Sequence, residues 1–386
     1  MPGLFFPQHA RISPLLQSLR YFYICHLPCI YDSTISAWPR LSAAPDGGDD
    51  VKAIVCDEPH SLTLVERPDP VPRGTEVLVR IGRVGLCGTD YHIYEGRHPF
   101  LTYPRVMGHE LGGEIEHVPP GSNLRVGQTV AVNPYIACGS CVACRNGKPN
   151  ACVNITVLGV HGDGGMCERL AVTEHAVIDA TGLTIDQAAM VEFLAIGAHA
   201  VARGAPKAGD RVLVVGAGPI GVGTALFSRL NGAQVTLVDT RQTRLDYARD
   251  VLGFANVQKA DADLSEAMRL ATEGEMFDVV LDATGVLAAM ANSLQFVAHG
   301  GALVLVGVAP GDLVLPDPEF HKRETTLIGS RNALAADFDR VIAAIREGHI
   351  PTEALHTHSV AGNDLPTRLP ELIEEADHVL KAIVRF

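Results

Sequence analysis

The segment VLVVGAGPIG at residues 212–221 decides the fold of its half of the chain. An apolar run typical of a buried strand passes directly into a Gly-x-Gly-x-x-Gly motif, formed by Gly216, Gly218 and Gly221, where a helix is expected to start. The first glycine of such a motif permits a tight turn, the second lets the backbone approach a pyrophosphate, and the third lets helix and strand pack closely. Amide groups at the helix N-terminus favour phosphate charge. The motif in this setting predicts a dinucleotide-binding domain.

Asp239 closes the next strand, QVTLVD, 23 residues after Gly216. A carboxylate at this place accepts hydrogen bonds from ribose hydroxyls and repels a 2′-phosphate, so NAD is favoured over NADP. Arg241 and Arg244 follow closely and either soften that preference or belong to a solvated helix face. The expected cofactor-binding residues are Gly216, Gly218, Pro219, Ile220, Gly221, Asp239, Arg244 and Val306.

Strands and helices alternate through residues 194–328. The apolar strand segments are RVLVV, QVTLVD, FDVVLDATG and GALVLVG, and helices are predicted from about Pro219 and Arg241. This alternation indicates a doubly wound parallel sheet with crossover helices, an α/β fold. After Arg331, two helices and a final strand, KAIVRF, are expected.

Residues 51–135 have a different pattern. Short β-type runs such as EVLVRIGRVG (76–85), LGGEIEHV (111–118) and GQTVAVN (127–133) are bounded by Gly and Pro. This pattern is typical of a β-rich barrel or roll. A second, β-rich domain is therefore expected before the dinucleotide-binding domain.

Four cysteines with regular spacing predict a metal site. Cys138, Cys141, Cys144 and Cys152 lie in CGSCVACRNGKPNAC, where the short gaps let the chain wrap around one ion. Four thiolates make a closed tetrahedral shell with no position for substrate, so we expect a structural zinc. The alternatives are unconnected thiols, a redox cluster or an iron–sulfur cluster.

A second, open metal site is predicted from GLCGTDYHIYEG, GHE and MVEFLAIGAHA. These segments contain Cys87, His109, Glu110 and Glu192. One thiolate, one imidazole and one carboxylate can hold zinc and leave a fourth position open, as catalysis requires. Taken singly, Cys87 is more often a buried core thiol and His109 a hydrogen-bonded core histidine. Their occurrence beside the four-cysteine segment favours the metal site.

The combination of GHE, the Cys-Gly-Thr-Asp segment, the four-cysteine lobe and the later dinucleotide motif resembles the zinc-containing medium-chain dehydrogenases, which include alcohol, sorbitol and threonine dehydrogenases. The resemblance covers residues 51–386. It implies that Cys87, His109 and Glu110 surround a catalytic zinc, with Glu192 beside the metal and able to replace Glu110 or a water. Most relatives have Pro after that last Glu, whereas this chain has Phe193.

The resemblance also implies the domain order and the cofactors. We expect a GroES-like catalytic domain at 51–193 and 329–386, with the zinc lobe at about 134–153, and a Rossmann domain at 194–328. The chain is expected to bind two zinc ions and NAD, and to form a homodimer or homotetramer. We expect it to act in the cytoplasm on a small molecule.

The predicted chemistry is oxidation of an alcohol. Zinc lowers the pKa of a bound hydroxyl, and the hydride passes to the nicotinamide ring. Thr89 follows the zinc thiolate by two residues and can relay the alcohol proton. His92 suits transfer of this proton to solvent because its pKa is near neutrality. The alternative for His92 is an ordinary surface histidine.

The substrate is suggested by resemblance alone. HPFLTYPRVMGHE, LGVHGDGGM and EFHKRETTLIGSRNA are similar to a bacterial subgroup that acts on sugar acids, with L-galactonate and L-gulonate 5-dehydrogenases among its activities. A carboxylate substrate needs a cationic anchor, and Arg331 is our first choice. The full set considered is Arg97, His98, His161, Lys322 and Arg331.

Four other functions remain open. The Thr-Asp-Tyr-His-Ile-Tyr segment resembles the threonine dehydrogenase branch, and a sorbitol dehydrogenase activity is also compatible with the motifs. A zinc-free quinone reductase is disfavoured by Cys87, His109 and the four-cysteine lobe. A non-catalytic regulator that only binds dinucleotide is disfavoured because every catalytic position is filled.

Composition excludes further classes. The 386 residues carry a formal net charge of −13, which is unsuited to the phosphates of nucleic acid. The sequence has no apolar run of the ~18 residues that a membrane span needs. Residues 1–50 lack a hydrophobic period and resemble either a transit peptide or a misassigned start, and we favour a biological start at Val51.

Overall fold

The protein is described here from a computed structural model, which describes residues 50–98 and 101–386. The prediction for residues 1–50 therefore lies outside the described residues, apart from Asp50 in the first strand. Within the described ranges, no helix combines the length and the apolarity needed to cross a membrane.

The strands are numbered in chain order. They are β1 (Asp50–Glu58), β2 (Ser61–Pro68), β3 (Glu76–Leu86), β4 (Arg105–Val106), β5 (Glu110–His117), β6 (Thr129–Val132), β7 (Tyr135–Ile136), β8 (Thr156–Val157), β9 (Arg169–Thr173), β10 (Val177–Asp179), β11 (Arg211–Val215), β12 (Gln234–Asp239), β13 (Asn256–Lys259), β14 (Phe277–Asp282), β15 (Val297–Leu305), β16 (Thr326–Gly329), β17 (His356–Ala361) and β18 (Lys381–Arg385).

The α-helices are numbered in the same way. They are α1 (Gly88–Tyr94), α2 (Val142–Arg145), α3 (Ile185–Ala188), α4 (Val191–Gly204), α5 (Pro219–Leu230), α6 (Gln242–Asp250), α7 (Leu264–Ala271), α8 (Leu287–Ser293), α9 (Asp317–Lys322), α10 (Ala335–Arg346), α11 (Thr352–Leu355) and α12 (Leu365–Glu374). Short 3₁₀ turns lie at Pro149–Ala151, Glu174–Ala176, Leu294–Phe296 and Gly362–Asp364.

Six parallel strands form the expected doubly wound sheet, in the order β13-β12-β11-β14-β15-β16. Alternate residues of β11 belong to hydrophobic clusters on opposite faces of the sheet. Val212 and Val214 pack on one face, and Leu213 and Val215 on the other. Burial on both faces explains why this strand is an uninterrupted apolar run. The predicted α/β fold is confirmed.

The β-rich part is built around a second sheet of order β10-β6-β5-β3-β18-β17, with β9 paired to β3. A smaller sheet has the order β2-β1-β4. Two strands near the end of the chain, β17 and β18, complete the sheet that β3 and β5 begin. The sequence predicted β18 but not β17, because HTHSVA has little apolar alternation.

Helix α4 joins the two parts of the molecule. Ten of its 14 residues are buried, from Val191 through Val201 with one interruption. It packs closely on α5, and a Cβ added at Gly197 would lie 2.6 Å from the backbone nitrogen of Thr224. The N-terminal end of α4 carries Glu192, so this helix connects the predicted metal site with the dinucleotide-binding half.

Candidate active site

The predicted metal ligands Cys87 and His109 lie side by side. Cys87 caps α1 at the end of β3, and its Sγ accepts a hydrogen bond from the Thr89 backbone N–H at 3.3 Å. His109 precedes β5, and its Nε2 lies 3.2 Å from Cys87 Sγ. Two ligands of one zinc ion are separated by about 3.5 Å if the bonds are 2.3 Å to sulfur and 2.0–2.1 Å to nitrogen. The pair therefore fits a shared zinc ion.

Asp90 holds the two ligand loops together. Its fully buried carboxylate accepts hydrogen bonds from the Cys87 N–H at 3.0 Å and from the Gly108 N–H at 3.3 Å. Asp90 thereby fixes the residue that precedes His109 relative to Cys87. Sequence reasoning missed this role, although the aspartate of the Cys-Gly-Thr-Asp segment was visible.

The two predicted carboxylates have different partners. Glu110 accepts hydrogen bonds from Lys381 Nζ with both oxygens, at 2.6 and 2.7 Å. Glu192 accepts one from the Tyr135 hydroxyl. Burial raises the pKa of Glu192 to about 7, opposed by the charge of His109. Ligand atoms of both carboxylates lie within 4.8 Å of His109, so both remain possible partners of the metal.

The electrostatics around His109 suit a cation. Burial lowers the pKa of His109, but the neighbouring Cys87 and Asp90 charges raise it well above its usual value. Cys87, Asp90 and His109 offer ligand atoms within 4.8 Å of one another. Such an excess of anionic groups around a buried imidazole is the environment that a divalent zinc ion neutralises, and the donor set is one that zinc uses.

The four-cysteine lobe has the dimensions of a zinc–thiolate site. Sγ–Sγ distances are 3.4 Å for Cys138–Cys152, 3.5 Å for Cys141–Cys144 and 3.8 Å for Cys141–Cys152. A tetrahedron with zinc–sulfur bonds of 2.3 Å has edges of about 3.8 Å. Backbone N–H groups of Ser140 and Cys141 lower the pKa of Cys138 to about 6, which favours the thiolate. The lobe therefore fits a closed structural zinc.

The glycine motif has the backbone geometry that was expected of it. Gly216 has φ of +100°, a left-handed value that side chains disfavour. A Cβ at Gly221 would lie 1.7 Å from the Gly216 carbonyl oxygen, so only glycine permits this approach. Gly218 caps α5, with Pro219 in the first turn and Ile220 packed on the core. Val306, also among the predicted cofactor-binding residues, follows β15 and donates its N–H to Asp282 O at 2.8 Å.

Asp239 and the nearby arginines brace this region. The Asp239 carboxylate accepts hydrogen bonds from the Ala217 N–H at 2.7 Å and the Arg241 N–H at 2.8 Å. The Arg244 guanidinium lies over Gly218 and donates to Ala376 O at 2.9 Å. Arg241 also contacts the 376–377 segment through an ion pair with Asp377. Neither arginine therefore belongs to a merely solvated helix face.

Two of the proposed anchor residues have partners elsewhere. Arg97 forms an exposed ion pair with Glu95. Lys322 lies 3.7 Å from Glu319 on its own short helix and is largely exposed. Both cations are thus engaged at the surface by neighbours in sequence.

His161, His98 and Arg331 lie nearer to the metal ligands. His161 Nδ1 accepts the Val157 N–H at 3.1 Å, so the ring proton lies on Nε2 when the imidazole is neutral. Burial and the charge of Arg331 lower the pKa of His161. Burial and the charges of His161, His92 and His109 likewise lower the pKa of His98. Arg331 is thus an electrostatic neighbour of His161, His161 of His98, and His98 of His109, and Arg331 is the permanent cation of this series.

Residues 73–182 match the family model described as "Alcohol dehydrogenase GroES-like domain", and residues 219–347 match "Zinc-binding dehydrogenase". Over 339 residues the chain is 40% identical to L-galactonate-5-dehydrogenase of Escherichia coli (strain K12), covering 87% of this chain and 99% of that protein. The chain belongs to the zinc-containing alcohol dehydrogenase family. It is an oxidoreductase of the kind that acts on sugar acids and polyols.

Two further comparisons, one with a curated protein and one with a solved structure, give lower sequence identities. This dehydrogenase is 33% identical to 2-dehydro-3-deoxy-L-galactonate 5-dehydrogenase of Pseudoalteromonas atlantica, over 75% of this chain and 86% of that protein. It is 31% identical to the solved structure of a protein described as short chain alcohol dehydrogenase (rspB) from E. coli CFT073, complexed with NADH. That comparison has a TM-score of 0.82 and covers 88% of this chain and 100% of the other.

Beyond Asp90, sequence reasoning missed two partners of the predicted carboxylates, the buried Lys381 and the partly buried Tyr135. Lys381 lies in the strand KAIVRF and Tyr135 in the two-residue strand β7, so neither has a motif that marks it. The signal for Lys381 was a single lysine in an otherwise apolar run, a position where a charge needs a buried partner.

Proposed function

We propose that this dehydrogenase oxidises the hydroxyl on the fifth carbon of a hexonate, with L-galactonate or L-gulonate as substrate, and that NAD accepts the hydride. The observation that carries the proposal is the charge of Arg331 close to His161, which neighbours His98, which in turn neighbours the metal-ligand candidate His109. The Arg331 guanidinium stays charged at neutral pH and suits a substrate with a carboxylate. The identity to the L-galactonate enzyme supports the same class of substrate.

The packing of α4 on α5 connects the predicted metal site with the cofactor loop. Glu192 lies at the first turn of α4, and the next residue, Phe193, has its carbonyl oxygen 3.9 Å from the position of a Cβ on Gly223 in α5. Helix α5 begins at the glycine motif. We therefore propose that Gly216, Gly218 and Gly221 receive the pyrophosphate of NAD, and that Asp239 receives its ribose.

Cys87 and His109, with Glu110 or Glu192, are the residues that would hold the catalytic zinc. When bound there, zinc supplies a Lewis acid that lowers the pKa of the substrate hydroxyl. Asp90 keeps Cys87 and His109 in register by binding both loops. Glu110, Lys381 and Glu192 are buried, whereas Tyr135 is partly buried, so water is excluded from the Glu110–Lys381 pair and restricted at Glu192.

Thr89 and His92 are proposed to carry the substrate proton to solvent. Thr89 follows Cys87 in the first turn of α1, and His92 lies in the last turn with an exposed side chain. Partial burial of the ring and the charge of Arg97 lower the pKa of His92, opposed by Glu95, so the imidazole is neutral near pH 7 and able to accept a proton.

We further propose a cytoplasmic homo-oligomer. The described cysteines form no disulfide, four of them are spaced for one metal ion and Cys87 lies in a second candidate metal group, as is usual in a reducing compartment. Size-exclusion chromatography with light scattering of the purified protein will determine the number of subunits, and a monomer would contradict this part of the proposal.

A substrate panel tests the main proposal. Purified protein is incubated with NAD and one of L-galactonate, L-gulonate, sorbitol or L-threonine, and NADH is followed by absorbance. We expect kcat/KM for a hexonate to exceed that for sorbitol and threonine by at least about tenfold, the equivalent of one good charge-assisted contact. Product identification must give the 5-keto acid. Preference for sorbitol or threonine, or zinc-loaded protein without turnover, would contradict it.

A further inference from the structure

The four-cysteine lobe is connected to the substrate side of the cleft by one buried asparagine. Asn150 lies in the lobe, two residues before Cys152, and is 7% exposed. Its side-chain Nδ2 donates to Arg331 O at 2.8 Å. The Asn332 side-chain amide donates in return to Asn150 O at 2.9 Å. Two hydrogen bonds thus join residues that are more than 180 positions apart in sequence.

A second contact fixes the orientation of the Asn150 amide. Its other N–H donates to His199 Nε2 at 3.1 Å, and His199 Nδ1 then donates to Asp337 Oδ2 at 2.8 Å. Among the described residues, Asn150 Oδ1 has no hydrogen-bond partner. Exchanging the amide oxygen and nitrogen would place two acceptors, Asn150 Oδ1 and Arg331 O, against each other. Asn150 therefore acts here purely as a double donor.

Asp337 extends the contacts to the other end of the same loop. Its Oδ2 also accepts the Leu334 N–H at 2.8 Å, at the start of α10. Asn332 has φ of +52°, a left-handed value that an L-residue adopts only when its surroundings hold it. The loop from Arg331 to Leu334 is thus held at its start by Asn150 and at its end by Asp337.

Helix α4 places this network in line with the metal site. His199 follows Glu192 by seven residues, which is two helical turns, so both side chains lie on one face. Glu192 lies beside His109, and His199 lies beside the cysteine lobe. The loop itself follows the carboxyl end of β16, the edge of a parallel sheet where ligands bind.

From these contacts we infer that Asn150 is a positioning residue, through which the cysteine lobe holds the Arg331–Asn332 backbone so that the Arg331 guanidinium faces the substrate. This inference rests on the proposed function in one respect, since it gives Arg331 the substrate carboxylate as partner. It assigns the structural lobe a second role in addition to stability.

The test compares two matched substitutions in the lobe of the zinc-loaded enzyme. Asn150→Asp replaces the donor with a carboxylate oxygen that faces Arg331 O. Asn146→Asp makes the same change in charge at an exposed position of the same lobe. Hydrogen–deuterium exchange is measured for the amide of Leu334 and its neighbours. We expect N150D to speed this exchange about tenfold, the effect of losing about 1.4 kcal/mol of hydrogen bonding. N146D should match wild type.

Steady-state kinetics give the second readout. We expect N150D to raise KM for a hexonate about tenfold, with a smaller change in kcat, because the anchor is misplaced while the metal ligands are untouched. Asn332→Gly is the variant that keeps the fold, since glycine accepts φ of +52° and only the contact to Asn150 O is lost. N332G should also speed amide exchange in the loop and raise KM for a hexonate, but by less than N150D does.

Loop exchange in N150D equal to that in N146D would overturn the inference, and so would wild-type exchange in N332G. If wild type oxidises no hexonate, the proposed substrate is wrong, while the exchange data still decide whether Asn150 holds the loop. Faster exchange in N150D together with an unchanged KM for a hexonate would overturn the inference that Asn150 positions Arg331 for the substrate.

Discussion

Glu110 and Lys381 form an ion pair in which neither side chain is exposed to solvent and both carboxylate oxygens accept hydrogen bonds from one ammonium group. Lys381 Nζ also donates to Leu86 O at 3.0 Å and lies 4.3 Å from the centre of the Phe193 ring. The pair therefore joins the strand before Cys87, the residue after His109 and the helix that carries Glu192. It is the common support of the three segments that carry the predicted metal ligands.

Lys381→Met leaves a buried carboxylate without a counter-ion. We expect it to lower the free energy of unfolding by ~3–5 kcal/mol, as happens when one partner of a buried pair is removed. Urea unfolding measures the change. Lys207→Met, at an exposed position, is the control and should have no measurable effect. The double variant Lys381→Met, Glu110→Gln should recover part of the loss, and a purely additive result would contradict coupling of the pair.

The two metal sites should be separable. Cys87→Ser should leave one zinc per chain, abolish turnover and change the melting temperature little, since this site is open. Cys144→Ser should also leave one zinc, but should lower the melting temperature strongly because a closed structural site contributes to folding. Metal content is measured by emission spectroscopy and unfolding by calorimetry. Two zinc ions retained in either variant would be incompatible with the assigned ligands.

Asp239→Ala tests the choice of cofactor. The substitution removes the ribose acceptor and the brace of the Ala217 and Arg241 amides. We expect kcat/KM with NAD to fall by about tenfold or more, and the ratio of NAD to NADP activity to fall as well, because a charge that repels the 2′-phosphate is lost. Asp246→Ala, at a surface position of α6, serves as control. An unchanged ratio would refute the role of Asp239.

The acidic limb of the pH profile should report His92. Burial and the Arg97 charge place the pKa of His92 below its usual value of 6.5, and the neutral form is the one that accepts a proton. kcat/KM should therefore fall only below pH 6.5. Removing the Arg97 charge in Arg97→Ala raises the pKa of His92, so the limb should move to higher pH. Arg125→Ala, an exposed arginine outside the site, should leave it in place. A limb that R97A shifts to lower pH would exclude His92.

Arg331→Ala should separate charged from uncharged substrates. We expect KM for a hexonate to rise by about tenfold or more, and KM for an uncharged polyol to change by less than about twofold, because only the hexonate has a carboxylate to lose its partner. Lys322→Ala removes a cation that pairs with Glu319 on its own helix and should affect neither substrate. Equal effects of R331A on both substrates would remove the anchor role.

The site residues that lie close together in the sequence could be predicted from it. Gly216, Gly218 and Gly221 lie in one short segment at the start of α5, and Cys138 to Cys152 lie in one lobe. Their distances in space are therefore set by their spacing in the sequence. Their geometry was predictable for that reason.

The supports of the site were not predictable, because they join distant segments. Lys381 meets Glu110 across 271 residues, and Asn150 meets Arg331 across 181. Each contact exists only once strand order and helix packing are fixed, for example the pairing of β18 with β3. Asp90 is the intermediate case, since its partner Cys87 is local but its partner Gly108 belongs to another loop.

The pairing of β18 with β3 also constrains the synthesis of the enzyme. Lys381 is 295 residues downstream of Leu86, its backbone acceptor on the neighbouring strand. During synthesis, β3 therefore leaves the ribosomal exit tunnel long before β18 is made. Glu110 has no Lys381 as counter-ion in that interval. The Rossmann sheet, whose six strands all precede β18, can form in that interval. The parallel sheet can therefore be complete before β18 is made, while the edge of β3 that will pair with β18 is still unpaired, as an edge strand prone to association would be.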